Sequence, residues 1–246
     1  MVYLGIWNGK YVAIKKFNLK EKKTAKYALN KFIKEINIIS NLRHPNIVLY
    51  MGASFNKDEY YMVSEYIIKG SLFEYIHLRK QKFTDSEVLN IAYEVAVALK
   101  YLHSRKICHC DLKSSNILLD ENNKVKVSDF GLSRLKNIFL LGENKGRIGT
   151  PHWMPPEIMK GNRYEEWSDV FSYGMILWEM ITREIPYYGM TSIQIIGMVS
   201  DFRKIVEVPN TGHSGLNNLI KGCLKYEPEK RPNFESIIKY LEKTIQ

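Results

Sequence analysis

Cysteine is scarce in this chain, with only Cys108, Cys110 and Cys223 in 246 residues. An odd number without framework spacing excludes a disulfide scaffold and fits a reducing compartment. Long apolar runs are lacking as well; none approaches the roughly 20 residues that a membrane-spanning helix needs. The opening residues, Val2-Tyr3-Leu4-Gly5, show neither the basic and apolar segments nor the cleavage site of a secretion signal, so a cytoplasmic location is expected. No internal repeat and no low-complexity linker interrupts the sequence. With 45% apolar and 25% charged residues, the composition is that of a folded protein with one large core or two modest ones. Basic charge is in excess, at a formal +10, yet eight of the lysines fall between Lys15 and Lys34. Aromatic residues are not interleaved with them as a single-strand-binding groove requires. Nucleic acid is therefore not an expected partner, and most of that run reads as a solvated face.

What is present divides by pattern. Val2–Trp7 and Tyr11–Phe17 are short β-type runs joined by Asn8-Gly9, a two-residue hairpin signal. From Ala25 to Leu42, Ala28, Leu29, Phe32, Ile33, Ile36 and Ile39 recur at helical spacing, and strand-like runs follow at Ile47–Phe55 and Tyr60–Tyr66. After Lys69-Gly70-Ser71 the character becomes helical. Thr84-Asp85-Ser86-Glu87 has capping-box form and opens an apolar stripe from Val88 to Leu102. Glu121-Asn122-Asn123 links Ile117-Leu118-Leu119 to Val125-Lys126-Val127 as a hairpin, and helical patterns fill most of the chain after Ser168. The pattern predicts an α+β protein: a β-rich lobe with one helix (residues 1–64), a hinge (65–70) and a larger, mainly helical lobe (71–246), with a ligand cleft between the lobes.

The chemistry is concentrated in His109-Cys-Asp111-Leu-Lys113-Ser-Ser-Asn116, followed thirteen positions later by Asp129-Phe130-Gly131. A short loop can aim Asp111 at a substrate hydroxyl while Asn116 reaches a metal ion, and Asp129 adds a second oxygen ligand. These hard donors suit Mg²⁺ or Mn²⁺. Asp111 and Asn116 could each be turn residues, but the ordered string as a whole is too long to arise by chance. In Val12-Ala13-Ile14-Lys15 a lysine leaves an apolar strand toward the cleft, where it needs anions; Glu35, within the helical run, is the candidate carboxylate to hold it. Singly, Lys15 would read as an exposed strand lysine and Glu35 as an exposed helix charge. The later motifs favour the pair.

These strings resemble the eukaryotic protein kinase catalytic domain, and Asp111-Leu-Lys-Ser-Ser-Asn116 with Gly149-Thr150-Pro-His-Trp-Met154 is similar to the tyrosine-kinase-like group of Raf and mixed-lineage kinase type. The resemblance covers essentially the whole chain, through His44-Pro45-Asn46, Pro155-Pro156-Glu157, Ser168-Asp169 and Lys230-Arg231-Pro232. It implies a bilobal kinase fold and transfer of the γ-phosphate of ATP to serine or threonine hydroxyls of protein substrates. Asp111 would be the base, Lys113 and Lys15 phosphate contacts, Asn116 and Asp129 metal ligands, and Thr150 a partner of Asp111 and Lys113. Adenine would lie between Val2 and Ala13 on one side and Leu118 on the other, bonded to the backbone of Glu65 and Ile67. Ser64 would stand before the hinge, small enough to leave a back pocket open to bulky ATP-competitive inhibitors. Ile39, Tyr50, His109 and Phe130 would stack as an internal spine, and Glu157 with Arg231 would form a buried ion pair. Lys113 goes with serine/threonine transfer; dual or tyrosine specificity is the alternative. The resemblance leaves oligomeric state open.

Two features depart from the pattern. The glycine-rich phosphate loop is not in the sequence, since Val2–Trp7 matches the strand after it; that loop is expected upstream of Met1, and the alternative is a pseudokinase-like module. Cys110 stands where commoner kinases have arginine, whose guanidinium pairs with a phosphate on the activation segment. A thiol cannot make that pair. Between Asp129 and Glu157 the hydroxyl residues are Ser133, near the metal ligands, and Thr150, so switching by ordinary activation-loop phosphorylation is not expected. Cys108-His109-Cys110 lacks a second ligand pair at metal spacing, and two small semi-buried thiols are expected there.

Overall fold

The Asn8-Gly9 turn has φ of 49° and 74°, both positive as a type I′ hairpin requires. It joins β1 (Val2–Trp7) to β2 (Lys10–Asn18), antiparallel, with Leu4 opposite Ala13. The computed structural model describes residues 1–18, 22–56, 59–135, 149–210 and 214–245. The helix α1 (Lys22–Ile39) follows, then β3 (Tyr50–Asn56) and β4 (Glu59–Glu65), giving a four-stranded antiparallel sheet in the order β1-β2-β4-β3. α1 lies against the sheet through Phe32, whose ring meets Phe17 at 5.2 Å and Tyr60 at 5.0 Å. Such edge-to-face pairs add to simple burial.

Three local expectations change. Ile33 is 46% exposed and lies off the buried stripe. α1 stops at Ile39 instead of reaching Leu42. The strand expected from Ile47 begins at Tyr50, because residues 46–48 bond to the other lobe: Val48 N–H donates to Val127 O at 3.0 Å and Val127 N–H to Asn46 O at 2.9 Å. The side chains of Lys20, Lys22, Lys23, Lys26 and Lys31, and all of Asn137–Gly146, lie outside the described residues.

Beyond Gly70 (φ +79°) the chain makes a π-helical turn at Glu74–Leu78 and then α2 (Asp85–Ser104). The Thr84 capping box is complete, with Glu87 N–H donating to Thr84 Oγ1 at 3.2 Å and Thr84 N–H to Glu87 Oε2 at 2.8 Å. The stripe through Val88, Ile91, Ala92, Val95, Leu99 and Leu102 is buried, and truncating one of its leucines to alanine costs about 2–5 kcal/mol. Next come β5 (Ile107–Cys108), β6 (Ile117–Leu119), β7 (Val125–Val127) and β8 (Arg134–Leu135), where β6 pairs with β7 as the hairpin and β5 with β8. α3 (Pro156–Met159) leads to α4 (Glu166–Thr182), buried continuously from Ser168 to Met180. α6 (Ser214–Cys223) packs on α4, α7 (Phe234–Ile245) on α2 and α5 (Ser192–Ser200) on α3. α4 and α6 approach closely at Gly174, where a Cβ would come within 2.7 Å of Cys223 Cβ. α4 is thus the axis of the helical lobe, and the loops that face the cleft are fastened to it.

Candidate active site

Residues His109–Asn116 are held from beneath by Asp169 in α4, a fully buried carboxylate. It accepts the N–H groups of His109 (2.9 Å) and Cys110 (3.1 Å), the Tyr164 hydroxyl (3.1 Å) and a bond from His103 Nε2 (2.9 Å). Burial alone pushes this carboxyl's pKa up, but the His103 hydrogen bond and charge and the His109 N–H together hold it below the ordinary value. The anchoring forces Cys110 into the left-handed region at φ +67°, a conformation that bulky residues adopt only under outside constraint. Gly149 (φ +112°) crosses just above it, where a Cβ would stand 3.0 Å from the Cys110 carbonyl. The Cys110 and Cys108 side chains are fully buried in a small apolar cluster with Met154, Ile158 and Tyr164, where semi-buried thiols were expected. Among the described residues no group of three His, Cys, Asp or Glu has the arrangement of a metal cluster.

The His109 ring has a defined tautomer. Asp111 N–H donates to Nδ1 at 3.3 Å, so Nε2 carries the hydrogen that goes to Ser128 O at 3.0 Å. The ring lies 5.4 Å from that of Phe130, and Ile39 is buried while Tyr50 is half-buried. Beyond it, Asp111 Oδ1 accepts both the Thr150 N–H (3.0 Å) and the Thr150 hydroxyl (2.9 Å). Lys113 Nζ donates to that hydroxyl at 2.8 Å and lies 3.1 Å from Asp111 Oδ2. An alcohol is therefore held between a carboxylate and an ammonium. Asn116 Nδ2 donates to the Asp111 carbonyl at 2.8 Å, and among the described residues its amide oxygen has no hydrogen-bond donor.

Across the cleft, Lys15 Nζ bonds Glu35 Oε1 at 2.6 Å and Asp129 Oδ1 at 2.8 Å. Burial works to lower the Lys15 pKa, and Asp129 and Glu35 outweigh it and raise the value. For Asp129, burial pushes upward and Lys15 more than reverses it, so the carboxyl is ionised. Asp129 sits at φ +60°. A cavity of about 540 Å³ opens beside this group, within the range of small-molecule sites. Val2, Ala13, Ser64 and Glu65 line it from the sheet, Leu118 from β6, and Ile67 from the segment joining the lobes; past Ser64 it reaches Met62, Val48 and Ile39. Asn116 and Asp129 both border it. Two oxygen donors at the edge of a cavity fit a hard divalent cation whose remaining ligands are water and phosphate oxygens.

Lys15, Glu35, Asn116 and Asp129 line the cavity together with Val2, Ala13, Ser64, Glu65, Ile67 and Leu118, whereas Asp111, Lys113 and Thr150 form a separate cluster that Asn116 joins to it through the Asp111 carbonyl. Glu74 and Ser115 also line the cavity. The signal for Glu74 was its spacing from Ser71: Ser71 N–H donates to Glu74 Oε2 at 2.9 Å and Glu74 N–H to Ser71 Oγ at 3.2 Å, a reciprocal cap of the Ser-x-x-Glu kind. Asp169 had been visible only as part of a matching string. Ser133 is fully buried and its hydroxyl donates to His109 O at 3.0 Å. Glu157 and Arg231 form the expected pair, bidentate at 2.8 and 2.8 Å and almost fully buried.

Comparison with known proteins agrees with this geometry. CTR1, a serine/threonine-protein kinase of Arabidopsis thaliana, is 39% identical over 249 residues, covering 100% of this chain and 30% of that protein. drkB of Dictyostelium discoideum, a probable serine/threonine-protein kinase, is 39% identical over 246 residues, covering 98% and 34%. HT1, a serine/threonine/tyrosine-protein kinase of Arabidopsis thaliana, is 37% identical over 246 residues, covering 98% and 62%. The chain thus spans about a third of the length of the first two. Residues 1–241, which contain the cavity, both cleft lysines and the loop on α4, match the protein tyrosine and serine/threonine kinase family, and to that family this chain belongs.

Proposed function

We propose that the chain transfers the γ-phosphate of ATP to serine or threonine hydroxyls of protein substrates. The observation that carries this reading is the Thr150 hydroxyl bonded to both Asp111 and Lys113: the site already holds an aliphatic alcohol between a proton acceptor and a cation. A substrate hydroxyl in that place loses its proton to Asp111, while Lys113 compensates charge on the phosphoryl group in transit. Lys15, held by Glu35, meets the nucleotide phosphates from the sheet side. Asn116 and Asp129 would hold Mg²⁺ or Mn²⁺, which neutralises phosphate charge when bound. Loose phosphoryl transfer leaves the protein mainly positioning and electrostatics to supply, and the fixed contacts around Asp111 do both. Residues 1–64 act as the small lobe, 65–70 as the hinge and 71–246 as the large lobe. No helix among the described residues is long and apolar enough to cross a membrane. The three buried cysteines, none of them in a disulfide, support a reducing, cytoplasmic setting.

The test is phosphate transfer from labelled ATP to casein. Asp111→Asn should lower kcat by about 10²–10⁴-fold; equal transfer by both proteins would refute the assignment. We also infer that activation-segment phosphorylation does not switch this enzyme. Cys110 supplies no cation, and Ser133 is buried. Phosphatase treatment should leave the rate unchanged, and a large loss traced to Ser133 would overturn the inference.

A further inference from the structure

A second fully buried carboxylate lies ten residues along α4 from Asp169 and takes no part in the chemistry above. Glu179 accepts the Ser114 hydroxyl at 2.7 Å, the Trp153 indole N–H at 2.9 Å and a bond from His77 Nε2 at 2.8 Å. Ser114 follows Lys113 directly, and Trp153 lies three residues after Thr150. One carboxylate therefore ties the loop carrying Asp111 to the loop carrying Thr150. A charge in such a place is retained only with good partners. Among the described residues His77 is the ionisable group within ion-pair distance, its side chain 11% exposed against 0% for Glu179. His152 is the other ionisable group in reach: burial lowers its pKa, against the opposing pull of Glu179.

His77 sits in the π-helical turn Glu74–Leu78, whose first residue lines the nucleotide cavity. π-turns place side chains that α-helical spacing cannot, and they are frequent at functional sites. The ring is seated on Phe73, with centroids 4.6 Å apart, so its direction toward Glu179 is fixed by packing. We propose that His77, acting through Glu179, is a positioning residue that sets the relation between Asp111 and the substrate loop. The proposal rests on the kinase reading for its effect on catalysis, but the mechanical part stands without it.

Hydrogen exchange followed by mass spectrometry separates the two. His77→Leu should raise exchange in residues 111–116 and 149–154 about tenfold, the loss expected for one hydrogen bond to a charged group. Residues 85–104 of α2 should be unchanged. His77→Gln, which restores a donor, should return most of the protection. In the casein assay His77→Leu should lower kcat/KM for casein about tenfold with the Kd of a non-hydrolysable ATP analogue within twofold, and Trp153→Phe added to it should cost less than the product of the single effects. Unchanged exchange in both loops, an equal rise throughout α2, or no rescue by His77→Gln overturns the proposal. Should His77→Leu not fold, the same comparison between His77→Gln and Trp153→Phe decides it. A chain that shows the exchange pattern but phosphorylates nothing keeps the positioning role and refutes the kinase reading instead.

Discussion

Two ion pairs, one on each side of the cleft, are built from the same chemistry and are used in opposite ways. Arg231 and Glu157 are closed. The guanidinium also donates to the carbonyls of Lys225 (2.8 Å), Trp167 (3.0 Å) and Tyr226 (3.1 Å), and Glu157 Oε1 accepts the Ser168 hydroxyl at 2.9 Å. No donor is left over for a ligand. Lys15 is open: its ammonium is divided between Glu35 and Asp129, and its side chain is 25% exposed to the cleft. An ammonium with two anionic partners at a cavity wall can exchange one for a phosphate with little rearrangement. The closed pair fastens the loop carrying Thr150 through α3 to the helical lobe; the open pair faces the cavity.

The largest effect tests closure. Arg231→Leu leaves Glu157 buried without its partner, and urea unfolding should report a loss of about 3–5 kcal/mol. Arg231→Leu combined with Glu157→Leu should recover part of that loss, because the stranded charge is then gone. A single substitution costing under about 1 kcal/mol would mean that the pair is not closed in the sense argued here.

Lys15→Met probes the open pair and should separate activity from stability. Removing one preorganised cation from the phosphates should lower kcat by about 10²–10³-fold, while the urea midpoint falls because buried Glu35 is stranded, but by less than in Arg231→Leu, since the Lys15 side chain is itself partly hydrated. A stability loss matching that of Arg231→Leu would erase the distinction between the two pairs.

Acid provides a weaker lever on the same contrast, through the other closed carboxylate. The folded-state pKa of Asp169 lies below its ordinary value, the pull of His103 and the backbone N–H groups exceeding the upward push of burial. A depressed carboxyl stabilises the fold above the unfolded pKa of about 3.9, and the contribution is lost as pH falls through the folded value. Thermal scans from pH 6 to pH 3 should show Asp169→Asn less stable near neutrality, with the two curves converging toward acid. Parallel curves would show that Asp169 contributes no proton-linked stability.

How much of this was legible in the sequence follows the same line. The residues proposed to face reactants, Lys15, Asp111, Lys113, Asn116 and Asp129, were readable because phosphoryl transfer demands those groups in that order and spacing. Glu157 and Arg231 came with the matching strings, without the carbonyls that close the pair. Glu179 was not readable: a glutamate inside the apolar run of α4 gives no hint of three donors arriving from Ser114, Trp153 and His77. His77 was invisible because a π-turn of five residues has no periodicity to detect. At the element level the hairpin at Asn8-Gly9 and the Thr84 cap were local and correct. The start of β3 failed because Ile47 and Val48 are apolar for a tertiary reason, their contact with β7.

The smallest effect comes from a third ion pair that serves as the reference for the other two. Glu235 and Lys239 face each other at 3.0 Å on α7, one helical turn apart, with side chains 56% and 68% exposed. The separation is close to that of the Lys113–Asp111 contact at 3.1 Å, so distance alone would rank the two alike. Water decides otherwise. Both α7 charges keep most of their hydration, and holding two long side chains together costs rotamer freedom that the screened attraction barely offsets. The hydrogen bond and charge of Lys239 lower the Glu235 pKa, a shift that solvent screening keeps from mattering to the fold. Glu235→Gln should leave the urea midpoint and casein phosphorylation indistinguishable from the parent chain at physiological salt. A clear shift in either would show that proximity, and not enclosure or access to the cleft, governs what an ion pair does in this molecule.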